Sequence, residues 1–91
     1  MNKLEEARKK INECDEKMAE LFLNRMKAVE EVASYKIENN MPIFDPSREE
    51  EVIKRGLERI SEDEYRKYYE EFLHSMMDIS KEYQKSIIEN K

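Results

Sequence analysis

Along the first third of the chain, apolar residues recur at alternating spacings of three and four: Leu4, Ala7, Ile11, Cys14, Met18, Leu21, Ala28, Val29 and Val32. One face of an α-helix repeats at that spacing. The pattern predicts a helix from Leu4 to Ile37, with nothing to break it before Asn39-Asn40-Met41-Pro42. A second helix starts near Asp45-Pro46-Ser47 and carries Val52, Ile53, Leu57 and Ile60. Asp45 can cap it with Pro46 at the first helical position. Ser47 and Glu50 offer a capping box instead. Gly56 weakens this helix by about 1 kcal/mol relative to Ala. Ser61-Glu62-Asp63-Glu64 reads as another capping box. It opens a third helix, which runs to about Asn90 on Leu73, Met76, Met77, Ile87 and Ile88. The expectation is an all-α fold of three helices, one domain over residues 1–91.

The first helix is too long for the chain that carries it. Its 34 or so residues rise about 1.5 Å each and span roughly 51 Å. A compact chain of this size has a radius of gyration of about 12 Å. The helix therefore carries apolar surface beyond a compact monomer, and a partner chain along its length is the economical cover. The pattern predicts an obligate helical dimer with the first helices packed together. A plain coiled coil would satisfy the same pattern.

Composition narrows the classes of function. Charged residues make up 43% of the 91, yet the apolar ones recur too regularly for a disordered chain. The net charge of −5 argues against nonspecific nucleic-acid binding, which needs a basic surface. One Gly and two Pro leave no Gly-rich phosphate loop. One cysteine and one histidine leave no multi-cysteine or multi-histidine metal site. No run approaches the roughly 18 apolar residues of a membrane span. The N-terminus lacks the apolar stretch of a secretory signal. The expectation is a cytoplasmic protein with no metal, cofactor, nucleic acid or membrane to bind.

The informative residues are polar ones on apolar stripes. At about 100° per residue, Arg25 falls in the middle of the first helix's stripe, in the heptad of Leu4, Ile11, Met18 and Val32. Lys36 lies close to the same line and Arg8 at its edge. On the second helix Glu49 sits beside Val52, Ile53 and Ile60, with Arg48 next to it. On the third, Ser80 and Gln84 lie on the axis of Leu73, Met77 and Ile87. A buried unpaired charge costs several kcal/mol. Either the cations pair with Glu49, or their stems snorkel to water, or they wait for a ligand. Cations outnumber the one central acid, so the excess suits a small ligand with more than one negative charge. Arg holds carboxylates with two parallel hydrogen bonds. Ser80 and Gln84 add neutral donors four residues apart.

The other reactive residues read more simply. Cys14 lies on the apolar face and is expected as a core thiol. His74 falls off the apolar axis and is expected at the surface. Tyr65, Tyr68, Tyr69 and Tyr83 are expected to pack. No nucleophile–base pair is evident.

This constellation resembles the all-helical chorismate mutases. Arg8-x-x-Ile11-x-x-x-Asp15 looks like the family's opening signature. Arg25, Val32 and Lys36 match its next block. Pro42-Ile43-x-Asp45-x-x-Arg48-Glu49 is similar to its loop and second-helix motif, and Ser80-x-x-x-Gln84 to the end of its third helix. The resemblance implies an intertwined homodimer in which Arg8 crosses into the partner's site. It implies the rearrangement of chorismate to prephenate in the phenylalanine and tyrosine branch of the shikimate pathway. Arg8 and Arg25 would hold carboxylates, assisted by Arg48 and Ser80. Glu49 and the backbone amide of Asp45 would bind the hydroxyl, and Lys36 and Gln84 would face the ether oxygen. An isochorismate pyruvate lyase shares this fold and pocket, and a helical interaction module is the non-enzymatic alternative. On length, a free-standing enzyme with no fused domain is expected.

Overall fold

The computed structural model describes residues 2–90. Three helices account for nearly all of them: α1 (Lys3–Glu38), α2 (Pro46–Glu58) and α3 (Asp63–Glu89). No strand is present among the described residues.

Each helix boundary has a local cause. Asn2 caps α1, its side-chain oxygen accepting from the Glu5 amide at 2.8 Å. Glu5 and Glu6 follow in the first turn, where the helix dipole favours acids. At the other end Asn40 takes the left-handed conformation, with φ 52°. That lets the Met41 amide reach back to the Lys36 carbonyl (2.9 Å) and the Asn40 amide to Ile37 (3.4 Å). This is a Schellman closure with Asn in the usual glycine place. At α2, Asp45 is the cap: its carboxylate accepts from the Arg48 amide at 3.1 Å, and Pro46 takes the first helical position. The Ser47 box is not used. The expected Ser61 box at α3 is also not formed: the cap residue is Glu62, with no side-chain cap bond. Asp63 and Glu64 in the first turn supply the favourable charge there.

Helices α1 and α2 both pack on α3, and their backbones do not approach each other. The core is small and lies at one end. Its buried apolar residues are Val29 and Ala33 of α1 and Leu73 and Met77 of α3, with Ser80 and Gln84 of α3 also buried. Gly56 is the buried residue of α2. A Cβ at Gly56 would overlap Leu73 Cδ1, so the missing side chain is what lets α2 close on α3. The sequence pattern shows only the propensity cost of this residue; the packing gain depends on what lies opposite.

Every residue of α1 from Lys3 to Asn24 is exposed. Leu4, Ile11, Met18, Leu21 and Leu23 are each about half exposed or more. Cys14 is exposed too, on the bare stripe and outside the chain's own core. The helix sets the shape: the longest dimension is 55 Å, and the radius of gyration is 16.5 Å against about 12 Å for a compact chain. Beside the bare stripe an apolar groove of about 760 Å³ opens between mid-α1 and the first half of α3. Phe22, Met26, Tyr65, Tyr68, Tyr69 and Phe72 help line it. The expected tyrosine packing is therefore partial: Tyr65 and Tyr68 remain more than half exposed on the groove. No described helix is long and apolar enough to cross a membrane.

Gly56→Ala should destabilise the fold despite the better helix propensity of Ala. Overpacking costs about 1–3 kcal/mol, and Leu73, 2% exposed, has little room to yield. We expect a lower denaturant midpoint; an unchanged or higher one would mean that α2 and α3 do not approach as described.

Candidate active site

A cleft of about 240 Å³ lies where the C-terminal third of α1, the start of α2 and the last turns of α3 meet. Seven of the eight residues picked out on sequence line it: Arg25 and Lys36 from α1, Asp45, Arg48 and Glu49 around the start of α2, and Ser80 and Gln84 from α3. Ala28, Val29, Val32, Ile43, Val52 and Met77 supply its apolar walls. Arg8 is not there. It sits 17 residues up α1 from Arg25, about 26 Å along the axis, and its side chain is exposed.

The electrostatics decide between the readings left open by the sequence. Arg25 Nη1 donates to Ser80 Oγ at 2.5 Å. Lys36 Nζ donates to the Ile43 carbonyl at 2.8 Å. Neither has a carboxylate partner among the described residues. Glu49 is taken by another cation, Lys81, at 2.8 Å. The cleft therefore holds two half-buried cations that no acid among the described residues neutralises. An ion pair with Glu49 does not explain them, and a ligand's negative charge would. Burial, and secondarily the nearby Arg48, lower the pKa of Arg25 from its ordinary value. A guanidinium stays charged through that shift.

The neutral groups divide into a holder and an amide whose oxygen is an unpaired acceptor. Ser80 Oγ donates back to the Met76 carbonyl at 3.0 Å, so its one proton is spent. Its free lone pairs face Arg25, and its part is to aim that guanidinium. Gln84 is 7% exposed and its Oε1 has no hydrogen-bond partner. A buried amide left short of partners costs about 1–3 kcal/mol. Its place in the cleft wall leaves that acceptor open to a ligand's donor, with the Nε2 end of the amide as the donor for a ligand oxygen.

The rim is looser. The Arg48 side chain is 60% exposed and pairs with Glu51 at 2.6 Å, turned away from the interior. The Asp45 carboxylate is occupied as the helix cap. Its loop, residues 39–45, closes one side of the cleft. His74 is exposed on α3, away from the cleft, as its place on the helix wheel suggests.

Lys81 is the lining residue that sequence reasoning missed. It follows Ser80 by one residue, so it stands about 100° off the apolar axis. A search for polar residues at stripe centres passes over it. The remaining signal was compositional only, a cation beside two polar stripe residues.

A three-helix body with a small cation-rich cleft, one side of it open, defines the class: an all-helical protein whose cleft has uncompensated positive charge. The chain belongs to the chorismate mutase type II family, whose sequence profile matches residues 7–85. It is also similar to a protein named chorismate mutase from Methanocaldococcus jannaschii, at 40% identity over 55 residues. That match covers 60% of this chain and 56% of the other, so it spans little more than half of the relative's length. No solved structure matches the chain.

Gln84→Met keeps the side chain's shape and removes its unsatisfied amide. It should raise the unfolding free energy by about 1 kcal/mol, read as a higher urea midpoint. A lower midpoint would show that the amide is satisfied in the folded protein.

Proposed function

We propose that this protein converts chorismate to prephenate by intramolecular Claisen rearrangement. The single observation that supports it most is the pair Arg25 and Lys36, two cations without carboxylate partners in one cleft. Membership of the chorismate mutase type II family supplies the substrate. With this reading go a cytoplasmic location, a single catalytic domain, and a place in the phenylalanine and tyrosine branch.

The working unit in this reading is an intertwined homodimer. The bare stripe of α1 and the groove beside it share Met18 and Leu21, and adjoining exposed apolar surface of this kind marks an interaction site. A second copy laid along α1 covers both. The family resemblance implies that Arg8 of each chain reaches the other chain's cleft, and its distance of about 26 Å from its own cleft is compatible with that. The cleft of about 240 Å³ is small and open on one side. A neighbour's side chain closes it.

The chemistry needs no proton transfer. One ether C–O bond breaks as one C–C bond forms, within the same molecule. Arg25, aimed by Ser80, and Arg8 from the partner clamp the two carboxylates, with Arg48 swinging in from the rim. Clamping selects the compact conformer that brings the reacting carbons together. Glu49 and the Asp45 amide take the hydroxyl. Negative charge then grows on the ether oxygen, where Lys36 and Gln84 donate. Lys36 carries three N–H groups, and one on the Ile43 carbonyl leaves two for substrate. Donors fixed in advance favour the transition state over the ground state.

The direct test is to incubate the purified protein with chorismate and, separately, with isochorismate, and to identify the products. Prephenate from chorismate is expected. Salicylate with pyruvate from isochorismate would make it a lyase, and no turnover of either would leave a binding module. Elution as a monomer at assay concentration would remove Arg8 from the site. Lys36→Ala should lower kcat by about two orders of magnitude, as loss of one oxyanion donor does, with a much smaller change in KM. An unchanged kcat would remove Lys36 from the mechanism.

A further inference from the structure

Lys81 is a cation of the cleft that the mechanism above leaves without a task. It is held on three sides. Its ammonium is 2.8 Å from Glu49 Oε2, across the α3–α2 contact, and 3.5 Å from Asp78 Oδ1 on its own helix. It also stands over the ring of Phe44, 5.0 Å from the centroid. Its side chain is 30% exposed and that of Glu49 25%, so this pair is shielded more than the other ion pairs among the described residues. Asp78 is 70% exposed and the weaker partner.

The geometry points to Lys81 as a positioning residue: it fixes the Glu49 carboxylate at the cleft wall so that the carboxylate accepts the substrate's hydroxyl. This rests on the chorismate reading, because it is that hydroxyl which Glu49 would receive. A carboxylate has two oxygens and about four acceptor sites. One oxygen on Lys81 leaves the other for a ligand. Without Lys81, a flexible glutamate among Arg25, Arg48 and Lys36 is drawn toward those cations. It would then compete with the substrate's own carboxylates for them. Lys81 thus serves twice, aiming the acceptor and keeping the carboxylate clamps free. The Phe44 contact adds a link to the loop. Lys36 bonds the Ile43 carbonyl from one side and Lys81 covers the Phe44 ring from the other, so two lysines from two helices hold residues 43 and 44.

Misplacing Glu49 weakens ground state and transition state alike, so the signature is in KM. Lys81→Met keeps the stem and removes the charge. We expect its KM for chorismate to rise about tenfold with kcat within about twofold of the wild type. Lys81→Arg should recover most of the loss. In a Glu49→Gln background, which has no carboxylate to aim, Lys81→Met should change KM by less than about twofold. A merely structural lysine would lower the active fraction, and so kcat, and would do so in either background. Wild-type turnover of chorismate with an unchanged KM in Lys81→Met overturns the role of Lys81 alone. So does an equal rise in both backgrounds. Absence of wild-type turnover overturns this role together with the reading it rests on.

Discussion

A helix of 36 residues cannot be covered by the rest of a 91-residue chain. Only about its last third finds partners, at Val29 and Ala33. The remainder presents Leu4, Ile11, Met18 and Leu21 to solvent. Burial of apolar surface contributes about 25 cal/mol per Å², so a stripe of this length left bare forfeits much of what a small domain has to stabilise it. That imbalance fixes the architecture. It confines the core to one end, sets the open cleft at that same end, and leaves Arg8 stranded at the other.

The cleft shows how a small core can carry polar groups. Ser80 and Gln84 are as buried as Val29, yet they are hydrogen-bonding residues. Ser80 satisfies itself on the Met76 carbonyl and spends its remaining capacity on Arg25. Gln84 does not satisfy itself. Glycine at position 56 brings α2 close enough for Glu49 and Lys81 to bridge the two helices. Polar placement and close packing are thus two effects of one helix contact.

Much of this was legible in the sequence. The three helices follow from the 3,4 spacing, and Pro46 and Asn39-Asn40 mark their ends within a residue or two. The reading of Ser61 failed because a capping box is a local pattern, and Glu62 had already taken the cap position. Cys14 is exposed because a stripe identifies a face to be covered without saying whether the same chain covers it. In the site, residues at stripe centres were found because a polar group on an apolar axis is conspicuous. Lys81 was not, because its significance lies in Glu49 and Phe44, which are distant in sequence. The pairing of Glu49 was likewise out of reach: several cations stand near it, and only the packing of α3 on α2 selects one.

The seven residues from Asn39 to Asp45 combine several fixed contacts in a short span. Asn40 closes α1, the Ile43 carbonyl receives Lys36, the Phe44 ring meets Lys81, and Asp45 caps α2. Surface loops ordinarily accept insertions at little thermodynamic cost. This one has no slack: an added residue would break the register between a helix end and a carbonyl three residues later. Its length is therefore as constrained as that of a core helix, and lineages that varied it would need a different anchor for the ammonium at position 36.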